Sequence, residues 1–165
     1  MKVLSTLNRF ILSLSGILLG IMTFLVIIQV FFRYVLEKPL TGSEELARFT
    51  MIWLVMIGST VVLRNKSHIA VEFFVELFPT VIQKGARIIT YLLIFVFAII
   101  LMVDGYQLAM TSMSQISPAT RIPNGYIAMS IPVSGFISAL YMLESLFQEF
   151  FSKNRSTDME KGVEA

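Results

Sequence analysis

The chain has 165 residues, of which 56% are hydrophobic and only 15% charged, with no cysteine and a formal charge of +2. A soluble domain is about 45–50% apolar and about 25% charged, so the surplus apolar residues, gathered in long uncharged runs, point to lipid. Disulfides, cysteine-ligated metals and a cysteine nucleophile are excluded. The small, scattered positive charge leaves no nucleic-acid footprint.

The first uncharged run is 10–32, closed by Arg33 and Tyr34. It is longer than the about 7–15 residues of a signal-peptide core, and no small-residue cleavage pattern follows it, so it reads as a retained membrane helix. A charged elbow follows, and a second span is expected over about 46–64. Ser43 is placed as its N-cap, with Glu44 and Glu45 in the first turn, where the helix dipole favours anions. Arg64 and Lys66 act as a basic stop. The segment 67–78 is too short to span and ends at Pro79. Read as a helix, it sets His68, Glu72 and Glu76 on one face beside Ile69, Phe73 and Leu77, which predicts a short interfacial amphipathic helix. A third span is expected over about 88–110, with Asp104 near its far end. Pro118, Pro123, Asn124 and Gly125 then break the chain. A fourth span follows over about 126–147, in which Pro132 predicts a kink or a late helix start. The expected domain is therefore one four-helix membrane unit, 1–152, and a polar, unstructured tail, 153–165.

Basic residues bias the orientation. With the N-terminus in the cytoplasm, Lys2, Arg9, Arg64, Lys66, Lys84, Arg87, Lys153, Arg155 and Lys161 fall inside, and Arg33, Lys38, Arg48 and Arg121 fall outside. Both termini are then cytoplasmic. Trp53 lies inside the second span and is expected to pack on a neighbouring helix.

The elbow PLTGSEELARF, the tract WLVMIGSTVVLR and the tail HIAVEFFVELFP, in that order and spacing, resemble the small membrane subunit of tripartite ATP-independent periplasmic (TRAP) transporters. Gly42 departs from the aromatic residue that the family pattern leads one to expect. The resemblance implies an all-α integral membrane protein of a bacterial inner membrane. It also implies a role as the small permease subunit of a secondary transporter for organic acids such as sialic acid or dicarboxylates. A large membrane subunit would carry the sodium and substrate sites, and a soluble periplasmic binding protein would deliver the acid. The expected partners are these two proteins and membrane lipid. No cofactor is implied.

The polar residues each admit a plainer reading. Arg48 follows Glu44 by four residues and Glu45 by three, so ion pairing within one helix is easy. The trio either caps the helix or orients a partner at the periplasmic face. Neighbouring glutamates on a helix diverge, so they do not converge on one bond as an acid and base would. Arg33 either snorkels to the interface or pairs with Glu37, Glu44 or Glu45. Arg121, in the loop before the last span, admits the same two readings, and the resemblance puts it on the face where a periplasmic binding protein would dock. His68, Glu72 and Glu76 lie along one stripe rather than converging, which argues against a metal site. Asp104 is either a boundary residue or the pair of a cation on another helix. Gly16 and Gly20, and the stripe Ser130, Ser134 and Ser138 beside Gly135 and Ala139, are expected at close helix contacts, inside this subunit or against another. No nucleophile-elbow, nucleotide-loop or zinc-protease pattern is present, and no enzymatic activity is expected. Two other readings remain: a small membrane enzyme, which needs a polar cluster at one face, and a self-assembling channel or scaffold, which needs a polar stripe. Gln29, Asp104 and Gln107 look scattered in the sequence.

Overall fold

The computed structural model describes the backbone over residues 2–38, 40–75 and 80–161, and side chains over 4–38, 40–64 and 85–148 with Arg87 left out. The described chain is helical, in the order α1 (Lys2–Tyr34), α2 (Thr41–Val75), α3 (Thr80–Ser112), the single turn α4 (Gly125–Ala128) and α5 (Ser130–Lys161). Four stretches are long and apolar enough to cross a membrane: Leu4–Tyr34, Thr41–Arg64, Ile88–Ser112 and Gly125–Gln148. The four uncharged runs of the sequence fall inside them.

Three boundaries differ from expectation, each for a local reason. First, α2 begins at Thr41, so Ser43 lies within its first turn. The Ser43 hydroxyl donates to the Leu40 carbonyl at 2.8 Å instead of accepting a backbone N–H as a cap would. Second, α2 continues to Val75 without a break after Arg64. The segment expected as a separate interfacial helix is therefore joined to the span through Val75, because neither glycine nor proline occurs between Gly58 and Pro79 to end it. Glu76 lies outside the described residues, as do the side chains of His68 and Glu72. Third, α5 runs to Lys161, so 153–161, expected as an unstructured tail, is helical. That stretch also lacks glycine and proline and holds helix-favouring Glu, Met, Lys and Arg. Residues 162–165 lie outside the described residues.

Pro132 produces the late start: α5 begins at Ser130, which puts Pro132 in the first turn, where its missing N–H has no helical acceptor to lose.

The helices neighbour one another in the order α1, α2, α5, α3, with α3 packed mainly on α5, α1 mainly on α2, and α2 joined to α5. Between lipid-embedded helices there is little hydrophobic drive, so close backbone approach and van der Waals packing must hold them. Glycines make that approach possible between α3 and the α4–α5 segment. A Cβ on Gly125 would meet the Ala109 carbonyl oxygen at 2.5 Å and Met113 Sδ at 2.6 Å. One on Gly135 would meet the Ala98 oxygen and Met102 nitrogen, both at 2.9 Å. A core that spans all four membrane helices forms from Ile11, Ile57, Val61, Tyr91, Tyr141 and Met142, with Trp53 packed against it. Most other large apolar side chains point outward, among them Phe24, Leu93, Phe97 and Phe136. That arrangement suits lipid and other membrane helices.

Candidate functional site

Two groups of polar contacts tie the helices, one at each end of the bundle. The first is built on Glu45, in the second turn of α2. Its carboxylate accepts hydrogen bonds from the Ser117 hydroxyl, from Ala119 N at 3.2 Å, and from Thr120 N and Thr120 Oγ1, each at 2.9 Å. All these donors belong to the loop between α3 and α4. Hydrogen bonds to an ionised acceptor are about twice as strong as neutral ones, so four on one carboxylate make a firm anchor.

The loop is itself tightly wound. Ile116 and Pro123 form an antiparallel bridge. Ser117 N donates to Ile122 O at 3.0 Å, and Asn124 N to Gln115 O at 2.8 Å. Arg121 takes a left-handed conformation, φ 56°, that lets its N–H donate back to Ser117 O at 3.0 Å. The loop thus presents a fixed outer surface, with Ile116, Pro118, Ala119, Arg121 and Tyr126 exposed beyond the Glu45 clamp.

At the same end the elbow turns through Glu37, also left-handed at φ 51°. The Gln29 amide donates to the Ser43 carbonyl at 2.8 Å and ties α1 to the start of α2. Gln29 therefore belongs to the elbow and is not an isolated polar residue.

The expected Glu44–Glu45–Arg48 unit does not form. Glu45 turns to the loop, while Arg48 is exposed and makes no ion pair with either glutamate. The four loop donors satisfy Glu45 better than one exposed guanidinium would. Arg33 is likewise exposed and pairs with none of Glu37, Glu44 and Glu45, which leaves it to the interface, as its position at a helix end favours.

The second group lies at the opposite end and was not foreseen as a unit. Arg64, read only as a basic stop, donates to Glu144 of α5 at 3.0 Å and to the Leu4 carbonyl of α1. Its guanidinium carbon lies 4.9 Å from the ring centre of Tyr141. One side chain thus joins three helices. The pair is largely sheltered, with 20% and 14% of the two side chains exposed. Arg is suited to this work because its planar fork serves an acid, a carbonyl and an aromatic face together.

The small-residue stripes divide. Ser134 is buried, donates to Ile131 O at 2.9 Å and lies 3.9 Å from Met56 Sδ of α2. Ser138 is half-buried. Among the described residues the expected contact at Gly16 and Gly20 is absent: both are exposed, and a Cβ on either would meet none of them within 4 Å. Among the described residues the close-packed glycines are Gly105, Gly125 and Gly135 instead, whose spacing of twenty and ten residues across three elements hides their common seam. Asp104 is exposed on α3.

Comparison with known proteins adds the biological context. Residues 22–152 match the family described as tripartite ATP-independent periplasmic transporters, DctQ component. A TRAP transporter small permease protein of Haemophilus influenzae is 23% identical over 150 residues, 91% of each chain. The sialic acid TRAP transporter small permease protein SiaQ of Vibrio cholerae is 24% identical over 147 residues, covering 88% of this chain and 83% of that one. The sialic acid TRAP transporter permease protein SiaT of Haemophilus influenzae is 26% identical over 121 residues, 73% of this chain but only 20% of that longer polypeptide.

Proposed function

Since the chain belongs to the family of DctQ components of TRAP transporters, we propose that it is the static small permease subunit of a sodium-driven importer of organic acids in a bacterial inner membrane. It is a multi-pass transporter component and not an enzyme. In this reading it broadens and anchors a large subunit that carries the substrate and sodium sites. It also offers the clamped 116–123 loop to a periplasmic binding protein. Both termini are cytoplasmic.

The single observation that carries the docking role is the Glu45 anchorage of a wound loop with an exposed outer surface. A loop held by four hydrogen bonds to one carboxylate is pre-organised, and pre-organisation lowers the ordering cost of binding. The basic asymmetry supports a periplasmic place for that loop, since Arg64, Arg9 and Lys2 lie toward the other end. The class of cargo is suggested by the relatives named for sialic acid; selectivity among acids would reside in the partner proteins.

The test is reconstitution. Liposomes holding this chain with its large subunit, supplied with the binding protein and an inward sodium gradient, are expected to take up an organic acid. Omitting sodium, the binding protein or this chain should each abolish uptake. Uptake by liposomes that contain this chain alone would refute the accessory role.

A further inference from the structure

Along the outer face of α3 the residues Leu93, Phe97, Ile100, Asp104, Gln107 and Thr111 recur at alternating spacings of four and three and are all exposed. That spacing makes one straight seam of the kind into which a second helix packs its side chains. The seam faces away from α5, whose side of α3 is marked by the buried Tyr91, Ala98, Gly105 and Ala109. It changes character along its length. Leu93, Phe97 and Ile100 suit lipid or protein equally, whereas Asp104, Gln107 and Thr111 do not suit acyl chains.

Asp104 lies about 12 Å along the helix from Ser112, at ~1.5 Å per residue, inside a stretch that crosses the membrane. Among the described residues its carboxylate makes no ion pair or hydrogen bond. The Gln107 side chain also has no partner among them, while Thr111 turns its hydroxyl back to the Gln107 carbonyl at 2.9 Å. An acid at this depth is costly unless something pairs with it, and membrane acids almost always face protein or water. Beside the seam a groove of about 360 Å³ opens between α3 and α5, lined by Met102, Val103, Tyr106, Gln107 and Pro132.

We propose that this seam is the docking face for a transmembrane helix of the large permease subunit, and that the helix brings a lysine or arginine to Asp104. The proposal rests on the functional reading above. Three features select this occupant. The heptad-like spacing fits a helix. The unpaired carboxylate calls for a cation that this face of the chain does not supply. The relative in which a counterpart of this chain is built into a longer permease polypeptide shows that such a segment works beside further permease sequence.

The absence of native cysteine permits a clean test. In membranes containing the intact complex, Gln107→Cys carrying a maleimide-linked benzophenone is expected to photo-crosslink to the large subunit. The cysteine-free chain serves as the background control. Co-purification provides the second measurement. Asp104→Glu should retain the large subunit, Asp104→Asn should lower its recovery severalfold, and Asp104→Lys should lower it at least tenfold. Crosslinking from position 107 only to lipid or to a second copy, with the complex intact, would overturn the proposal. So would wild-type recovery with Asp104→Lys. If the wild-type chain fails to retain any large subunit, the functional reading falls first and this inference with it.

Discussion

The carboxylate of Glu45 stands 2.9 Å from the backbone nitrogen of Thr120, although 75 residues separate them in the chain. This contact fixes the loop between the third and fourth spans to the start of the second. It gives the elbow a role that its neighbours Glu44 and Arg48 do not share.

Replacing Glu45 should therefore loosen the loop while leaving the bundle intact. Hydrogen bonds to an ionised carboxylate are stronger than neutral ones, so the amides that make them are expected to open more readily when the charge is removed. Glu45→Gln is expected to speed amide exchange at Ala119 and Thr120 by roughly tenfold. Glu44→Gln should leave those amides unchanged. Hydrogen-exchange mass spectrometry on the detergent-solubilised complex compares them directly. Equal protection in wild type and Glu45→Gln would remove the clamp.

If the clamped loop receives the binding protein, Glu45→Gln should also lower binding-protein-dependent uptake without lowering recovery of the membrane complex. Arg121→Glu, which alters the exposed loop surface but not the clamp, should weaken uptake in the same assay. Undiminished uptake in both variants would separate the loop from docking.

Arg64 gives the complementary prediction for stability. Breaking a buried ion pair by removing one partner costs about 3–5 kcal/mol, and this pair is partly exposed, so a loss of roughly 1–3 kcal/mol is expected for Arg64→Ala. Glu144→Gln should cost less, because Arg64 keeps the Leu4 carbonyl and the Tyr141 ring. The double variant should cost less than the sum of the two single losses. Thermal unfolding of the isolated chain, followed through its single tryptophan, Trp53, measures all three. A strictly additive double variant would show that the pair contributes nothing of its own.

The glycines divide into two classes. Gly125→Ala forces a methyl against the Ala109 carbonyl and Met113, and Gly135→Leu forces a branched side chain between α3 and α5. Overpacking of this kind costs about 1–3 kcal/mol or more. Gly20→Ala meets open space and should be neutral for the isolated chain, or slightly stabilising through helix propensity. Comparing melting temperatures of the isolated chain tests the contrast.

The number of membrane spans was legible because a span announces itself through length and lack of charge, whatever its neighbours. The elbow could be recognised from its residues, but the partner of Glu45 could not. Within one helix Arg48 is the obvious candidate, whereas the actual donors lie more than 70 residues away and half of them are backbone groups that leave no mark in the sequence. Arg64 shows the same limit from the other side. Its position marked a membrane boundary, while its contacts with Leu4, Tyr141 and Glu144 depend on how three distant segments pack. The pair Gly16 and Gly20 looked like a packing motif and lies on an outer face, because spacing along one helix cannot say which neighbour it meets. The absence of helix breakers after Arg64 and after Gly135 was present in the sequence, and it explains why α2 and α5 extend further than their apolar cores.

Glu45 and Arg64 sit on the same helix, roughly 28 Å apart at ~1.5 Å per residue, which is close to the ~30 Å thickness of a hydrocarbon core. The membrane-crossing stretch of α2, Thr41–Arg64, is therefore pinned at both its ends, to a loop at one and to its two flanking helices at the other. A strut pinned twice can neither slide along its axis nor rotate without breaking one of the pins. A push delivered to the 116–123 loop is consequently borne by the whole plank and passed to whatever the plank is fastened to. Rigidity of that kind suits a part that holds its ground while a neighbour moves.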